Sequence, residues 1–164
     1  MVACSVLPVA SALHGREAVD QLIGSITPLF DAVGVRIVDS VEAADPRQPL
    51  AVLVLTGGTE GLILAAAAAR RRQSPGEPML LITHPGHNSL PSALEALARL
   101  QLDGHLGRIV IVRPESSATP PDTALATALE DLTVWHALRV ARLGLLGAPS
   151  DWLVASTPDR DGLR

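Results

Sequence analysis

The sequence predicts an α/β fold, a three-layer open parallel sheet of about five strands, and three observations carry that prediction. Apolar runs without alternation, above all Leu50–Leu55, read as strands buried on both faces. Between such runs lie segments with a 3.6-residue apolar period, as at Val19, Leu22, Ile23, Ile26, Leu29, Phe30 and Val33. Strand and helix patterns alternate along the chain instead of segregating, which is what a parallel sheet with crossover helices requires.

Taken in order, Val2 to Val9 reads as the first strand, and Ser11 to Gly15 as a polar loop containing His14. A helix is expected from about Arg16 to Val33, closed by Gly34 at the position that favours a left-handed residue. Val35 to Val38 restarts a strand, and Asp39 to Pro49 is an acidic, proline-punctuated loop. Leu50 to Leu55 then runs into Thr56-Gly57-Gly58-Thr59 and an alanine-rich helix. In that helix Thr59 suits the N-cap, Glu60 meets the positive end of the dipole, and Arg70, Arg71 and Arg72 close the negative end.

Met79 to Thr83 is a further buried strand, broken at its tip by His84-Pro85-Gly86-His87. Asn88 or Ser89 is placed to cap the next helix, which tolerates Pro91 in its first turn and is expected to bury Leu90, Ala93, Leu94, Leu97 and Ala98. Arg108 to Arg113 supplies a fifth strand. A helix over Asp122 to about Ala141 presents Leu125, Leu129, Leu132, Trp135 and Leu138 on one side. Leu143 to Leu146 reads as one strand too many for this unit. The expected division is an N-terminal α/β domain over 1–141 and the start of a second domain over 142–164.

Composition narrows the function. A formal net charge of −4, no tyrosine and one phenylalanine argue against nucleic acid as a partner. The single cysteine, Cys4, excludes an intramolecular disulfide and points to the cytoplasm; inside a strand it reads as a small hydrophobe. No apolar run approaches the roughly 18 residues that span a membrane, so no membrane partner is expected. Every basic residue other than the histidines is arginine. The absence of lysine removes a P-loop lysine, Schiff-base chemistry and the Tyr/Lys pair of short-chain dehydrogenases.

The candidate site lies at the strand tips, where open α/β sheets place their ligands. Gly57 and Gly58 allow a tight turn and close approach of a ligand to the backbone, and Thr59 and Glu60 follow at the helix start. His84 and His87, three residues apart around Pro-Gly, have room to share a ligand with Asn88, and His14 sits on the same edge. Two imidazoles lack the third protein ligand of a strong metal site, so hydrogen bonding to a hydroxyl or across a subunit interface is a better functional reading than a metal, with simple loop capping as the plainest one. Each residue also has a plainer role, as a loop, a cap or a core filler. His105 and His136 read as surface or helix-face residues.

Three stretches, LTGGTEGLILA, LLITHPGHNSLPSALEALARL and LGLLGAPSDWLVAS, occur in this order. Together they resemble the N-terminal part of the L-fucose isomerase and L-arabinose isomerase superfamily, its fucose-isomerase-like members above all. The resemblance implies a flavodoxin-like, Rossmann-like domain of an aldose-ketose isomerase, contributing substrate positioning and subunit contacts. The family's manganese or similar divalent ion would be held by later parts of a full-length chain, which works as a trimer or hexamer. This chain alone is expected to bind no cofactor and to lack the catalytic metal site. The alternative is a stand-alone, non-catalytic domain that binds a small sugar or polyol or serves assembly.

Overall fold

The computed structural model describes residues 4–113, 123–142 and Trp152. Five strands and four helices follow one another as β1 (Cys4–Val9), α1 (Arg16–Val33), β2 (Val35–Ile37), β3 (Leu50–Val54), α2 (Glu60–Gln73), β4 (Met79–Thr83), α3 (Ser89–Leu102), β5 (Gly107–Ile111) and α4 (Thr123–Val140). The strands form one sheet in the order β2-β1-β3-β4-β5, and every pairing is parallel. The predicted α/β architecture is therefore present as a flavodoxin-like fold. The expected strand at Leu143–Leu146 and second domain over 142–164 fall, apart from Arg142 and Trp152, outside the described residues.

Period-two alternation divides β3 between two cores. Ala51, Leu53 and Leu55 face one layer with Ile26 and Phe30 of α1 and Leu125, Ala128, Leu129 and Leu132 of α4. Leu50, Val52 and Val54 face the other, with Ile63, Ala66 and Ala67 of α2 and Ala93, Ala96 and Leu100 of α3. Each of these β3 side chains is at most 2% exposed, as a central parallel strand covered on both faces demands.

Two helices turn differently from their leucine pattern. In α3 the buried positions are Ser89, Ser92, Ala93, Ala96 and Leu100, while Leu94 is 54% exposed. Small residues let α3 approach the sheet and α2 closely, so alanine wins the inner face over leucine. In α4 the inner face stops at Leu132: Trp135 is half-buried and Leu138 is 69% exposed.

The start of β3 and β4 carries a buried ion pair. Arg70, expected as one of three helix-end cations, turns inward to 2% exposure and donates from Nε to Glu77 Oε2 at 2.5 Å. Its remaining donors reach the carbonyls of Gln48 and Asp45 and the side chain of Gln73. Glu77 Oε1 accepts from the backbone N–H of Leu50 at 3.0 Å and lies 3.1 Å from His136 Nε2 on α4. His136, read from the sequence as a surface or helix-face residue, is half-buried on α4 with its ring beside this carboxylate. The signal for it was its place one helical turn after the inward-facing Leu132; only the fold brings Glu77 to it.

Candidate functional site

A sheet ordered 2-1-3-4-5 reverses its winding between β1 and β3, and ligands of open α/β sheets sit at such a reversal, outside the carboxyl ends of the strands. Three loops meet there: Ser11–Gly15 after β1, Thr56–Thr59 after β3, and His84–Asn88 after β4.

The β3 loop is built around Gly57. Its N–H donates to the carbonyl of His87 at 2.7 Å, and a Cβ at Gly57 would stand 2.8 Å from Asn88 Cβ. Glycine is required here for close approach of the two loops, not of a ligand. Gly58 has φ +72° and is exposed beside Ser11. Thr56 Oγ1 accepts from the N–H of Ser11 at 2.8 Å and so ties the β1 loop down.

Thr59 does not cap α2 with its side chain. It is fully buried, and its hydroxyl donates to the Thr56 carbonyl at 2.9 Å and lies 3.0 Å from Ser92 Oγ. A hydroxyl committed to two internal partners is a loop brace. Glu60 is half-buried in the first turn of α2, where its charge complements the helix dipole.

The three site histidines divide sharply. His84 is 3% exposed; Nε2 donates to the Leu55 carbonyl at 2.8 Å and Nδ1 accepts from the Gly86 N–H at 3.2 Å. That pattern fixes the neutral Nε2–H tautomer and leaves neither nitrogen for a ligand. His87 is exposed, and its ring centroid lies 5.8 Å from that of His14 in an edge-to-face arrangement. His14 is half-buried, with Nδ1 unpartnered among the described residues.

Backbone geometry singles out the β4 loop. His87 (φ 54°) and Asn88 (φ 57°) are the non-glycine residues with positive φ among those described, and they are consecutive. Asn88 precedes α3 in this left-handed conformation without a side-chain capping bond, so the expected cap role falls away. Ser89 braces the turn from within: its hydroxyl donates to the Val54 carbonyl at 2.5 Å and accepts from the His84 N–H at 3.1 Å. The fold therefore gathers His14, Gly58, His87 and Asn88 at an accessible edge. It withdraws Gly57, Thr59 and His84 into the frame beneath.

Sequence reading missed Ser11, whose only signal was its place in a polar tip, and Leu13, which is 93% exposed on the same loop. Cys4 lies away from this edge. Burial, and secondarily the charge of Glu77, pushes its thiol up to about 12, so it is no nucleophile. A groove of about 550 Å³ opens beside the site on the α1 side of β1, lined by Pro8, Ala10, Ile23, Arg36, Asp39 and Leu55.

No family model and no curated protein matches the chain. A solved structure that does match is a diflavin flavoprotein A3 from Nostoc sp., 15% identical with a TM-score of 0.33 over 83% of this chain and 94% of that one. These findings correct the resemblance to the L-fucose and L-arabinose isomerases. No finding supports membership, the sugar-isomerase function or a role in carbohydrate metabolism. Of the strings that carried the resemblance, those at Thr56–Thr59 and His84–His87 form turns and the alanine-rich ones pack as helices, devices open to any βα unit, while LGLLGAPSDWLVAS lies, apart from Trp152, outside the described residues. The expectation of manganese falls with it: no group of three His, Cys, Asp or Glu among the described residues could hold a metal.

The 2-1-3-4-5 order is also one in which a flavin binds at the β1/β3 reversal. A flavin does not fit the residues at this edge. None of the three loops carries Phe, Tyr or Trp to stack on its ring, and Phe30 is 1% exposed in the core.

No helix among the described residues is long and apolar enough to cross a membrane.

Proposed function

We propose that the chain binds a small, neutral, hydroxyl-rich molecule of the polyol class at the carboxyl edge of its sheet, reversibly and without covalent chemistry. The observation that carries this reading is the pair of consecutive left-handed residues, His87 and Asn88. Strained non-glycine backbone costs of order 1–3 kcal/mol per residue and concentrates at ligand contacts. Here the strain holds an exposed imidazole and an exposed carboxamide beside His14 and Gly58.

The chemistry of these groups supports a neutral ligand. Imidazole, carboxamide, hydroxyl and backbone N–H together donate and accept, which suits hydroxyl groups. The charged residues flanking them, Arg16 and Glu60, are of opposite sign. Binding is favoured over catalysis because Cys4, Thr59 and His84 are each committed to structure. A reducing compartment, the cytoplasm, suits a chain whose one cysteine is a buried thiol.

Two-dimensional NMR titration with myo-inositol and with D-glucose tests the reading. Saturable shifts at Gly58, His87 and Asn88, with dissociation constants in the millimolar range or tighter, are expected. Shifts that stay linear with concentration, or that centre elsewhere, would overturn it.

A further inference from the structure

At the opposite end of the molecule, the C-terminal ends of α2 and α3 enclose a groove of about 400 Å³, with Arg71, Arg72, Arg99, Asp103 and His105 around a floor of Leu100. Three guanidiniums face one carboxylate there, in a chain whose formal net charge is −4.

The local charges do not cancel. Arg99 Nε pairs with Asp103 Oδ2 at 3.0 Å, while no acidic side chain among the described residues lies within ion-pair distance of Arg71 or Arg72. Arg71 instead donates from a terminal guanidinium nitrogen to His105 Nε2 at 2.7 Å. An imidazole that accepts from a guanidinium is neutral, so it orients the cation without compensating it.

His105 is itself placed by the end of α3. The N–H of Gly104 (φ +79°) donates to the Gln101 carbonyl, and the N–H of His105 donates to the Leu100 carbonyl. These are the paired 5→2 and 6→1 bonds of a Schellman cap. A helix-end motif thus holds a neutral acceptor against Arg71 of the neighbouring helix. The dipole of α2 accounts for cations near its C-terminus, but not for one of them being aimed across the groove.

We propose that this groove is an oxyanion site for a phosphate group, gripped by the Arg71 and Arg72 guanidiniums with Arg99 at its rim. Planar guanidiniums offer paired N–H donors that match phosphate oxygens, and an uncompensated, pre-oriented one loses least on binding. The site is independent of the polyol reading, since it lies at the other end of the sheet and shares no residue with it.

The test is an NMR titration of arginine Nε–H and histidine ring signals with inorganic phosphate and, separately, glycerol 1-phosphate at constant ionic strength. Saturable shifts at Arg71, Arg72 and His105 are expected in the unaltered chain. Arg71→Ala should weaken binding by about tenfold, the loss of one charge-assisted contact. Asp103→Asn should tighten it by about threefold, since it removes a competing carboxylate. Arg36→Ala removes the same unit of charge elsewhere and should leave affinity unchanged. Tighter binding of the monoester would identify the phosphoryl group of a small molecule as the ligand, and equal binding would identify free phosphate. Non-saturable shifts, or equal losses in Arg71→Ala and Arg36→Ala, would overturn the proposal. Both substituted arginines are exposed, so each variant keeps the core intact.

Discussion

The two ends of the sheet treat polar groups in opposite ways. At the amino end, the side chains of Arg70 and Glu77 are each 2% exposed and are hydrogen-bonded to each other and to the backbone around the β3 entry, with His136 of α4 nearby. At the carboxyl end, His87 and Asn88 are exposed, hold positive φ and make no side-chain hydrogen bond among the described residues, above a frame that is hydrogen-bonded within itself. What separates them is whether the polar groups are consumed by the fold or left over by it.

The largest effect is expected at the amino end. Glu77→Ala strands a buried guanidinium and should cost about 3–5 kcal/mol, read as a lower urea midpoint, while a paired replacement of Arg70 and Glu77 by Met and Leu should recover most of that loss. If Glu77→Ala alone were neutral, the pair would not be the clamp described here. Next in size is Gly57→Ala, which forces a methyl against Asn88 and should cost about 1–3 kcal/mol in thermal unfolding, with the largest amide shifts in the β4 loop.

Relief of strain should act in the other direction. His87→Gly is expected to stabilise the fold by about 1 kcal/mol, since glycine adopts the left-handed region freely. The same variant should weaken polyol binding. A gain in stability with unchanged binding would separate the strain from the site.

The smallest effect under ordinary buffers concerns Cys4. Its thiol ionises near 9.0 in an unfolded chain and is pushed up to about 12 by burial in the fold. The fold therefore keeps its full stability below pH 9.0 and loses this contribution as pH rises from 9.0 through about 12. No lysine or tyrosine titrates in that window, because the chain has none. Cys4→Ala should flatten the alkaline decline of the urea midpoint, and a decline of the same steepness would assign it to another group.

Much of this was legible from local pattern. The unbroken apolar run at Leu50–Leu55 marked the central strand, and the periodicity of α1 gave Arg16–Val33 as found. The strand tips marked the site region because parallel topology places loops there regardless of their sequence. What stayed hidden depends on contacts between distant residues. Nothing near His84 announces that both its nitrogens are taken by Leu55 and Gly86, and nothing near Arg70 announces Glu77 as its inward partner. On α3 the expected burial of Ala93 is found, whereas Leu94 and Ala98 face outward, because leucine content is a poor guide where close packing favours alanine and serine. The isomerase resemblance failed for a related reason: Thr-Gly-Gly-Thr and His-Pro-Gly-His are solutions to a turn, open to many unrelated chains.

The bond from Gly57 N–H to the His87 carbonyl has a kinetic consequence. It joins the β3 and β4 tips into a single wall. The β1 tip is held to that wall chiefly through Ser11 and Thr56, with Leu13 standing free at its crest. A molecule entering this cleft would meet that wall on one side and the β1 loop on the other. Its residence time should then depend on the five residues Ser11–Gly15, on the Thr56 hydroxyl that accepts from Ser11 and on the His14–His87 ring contact.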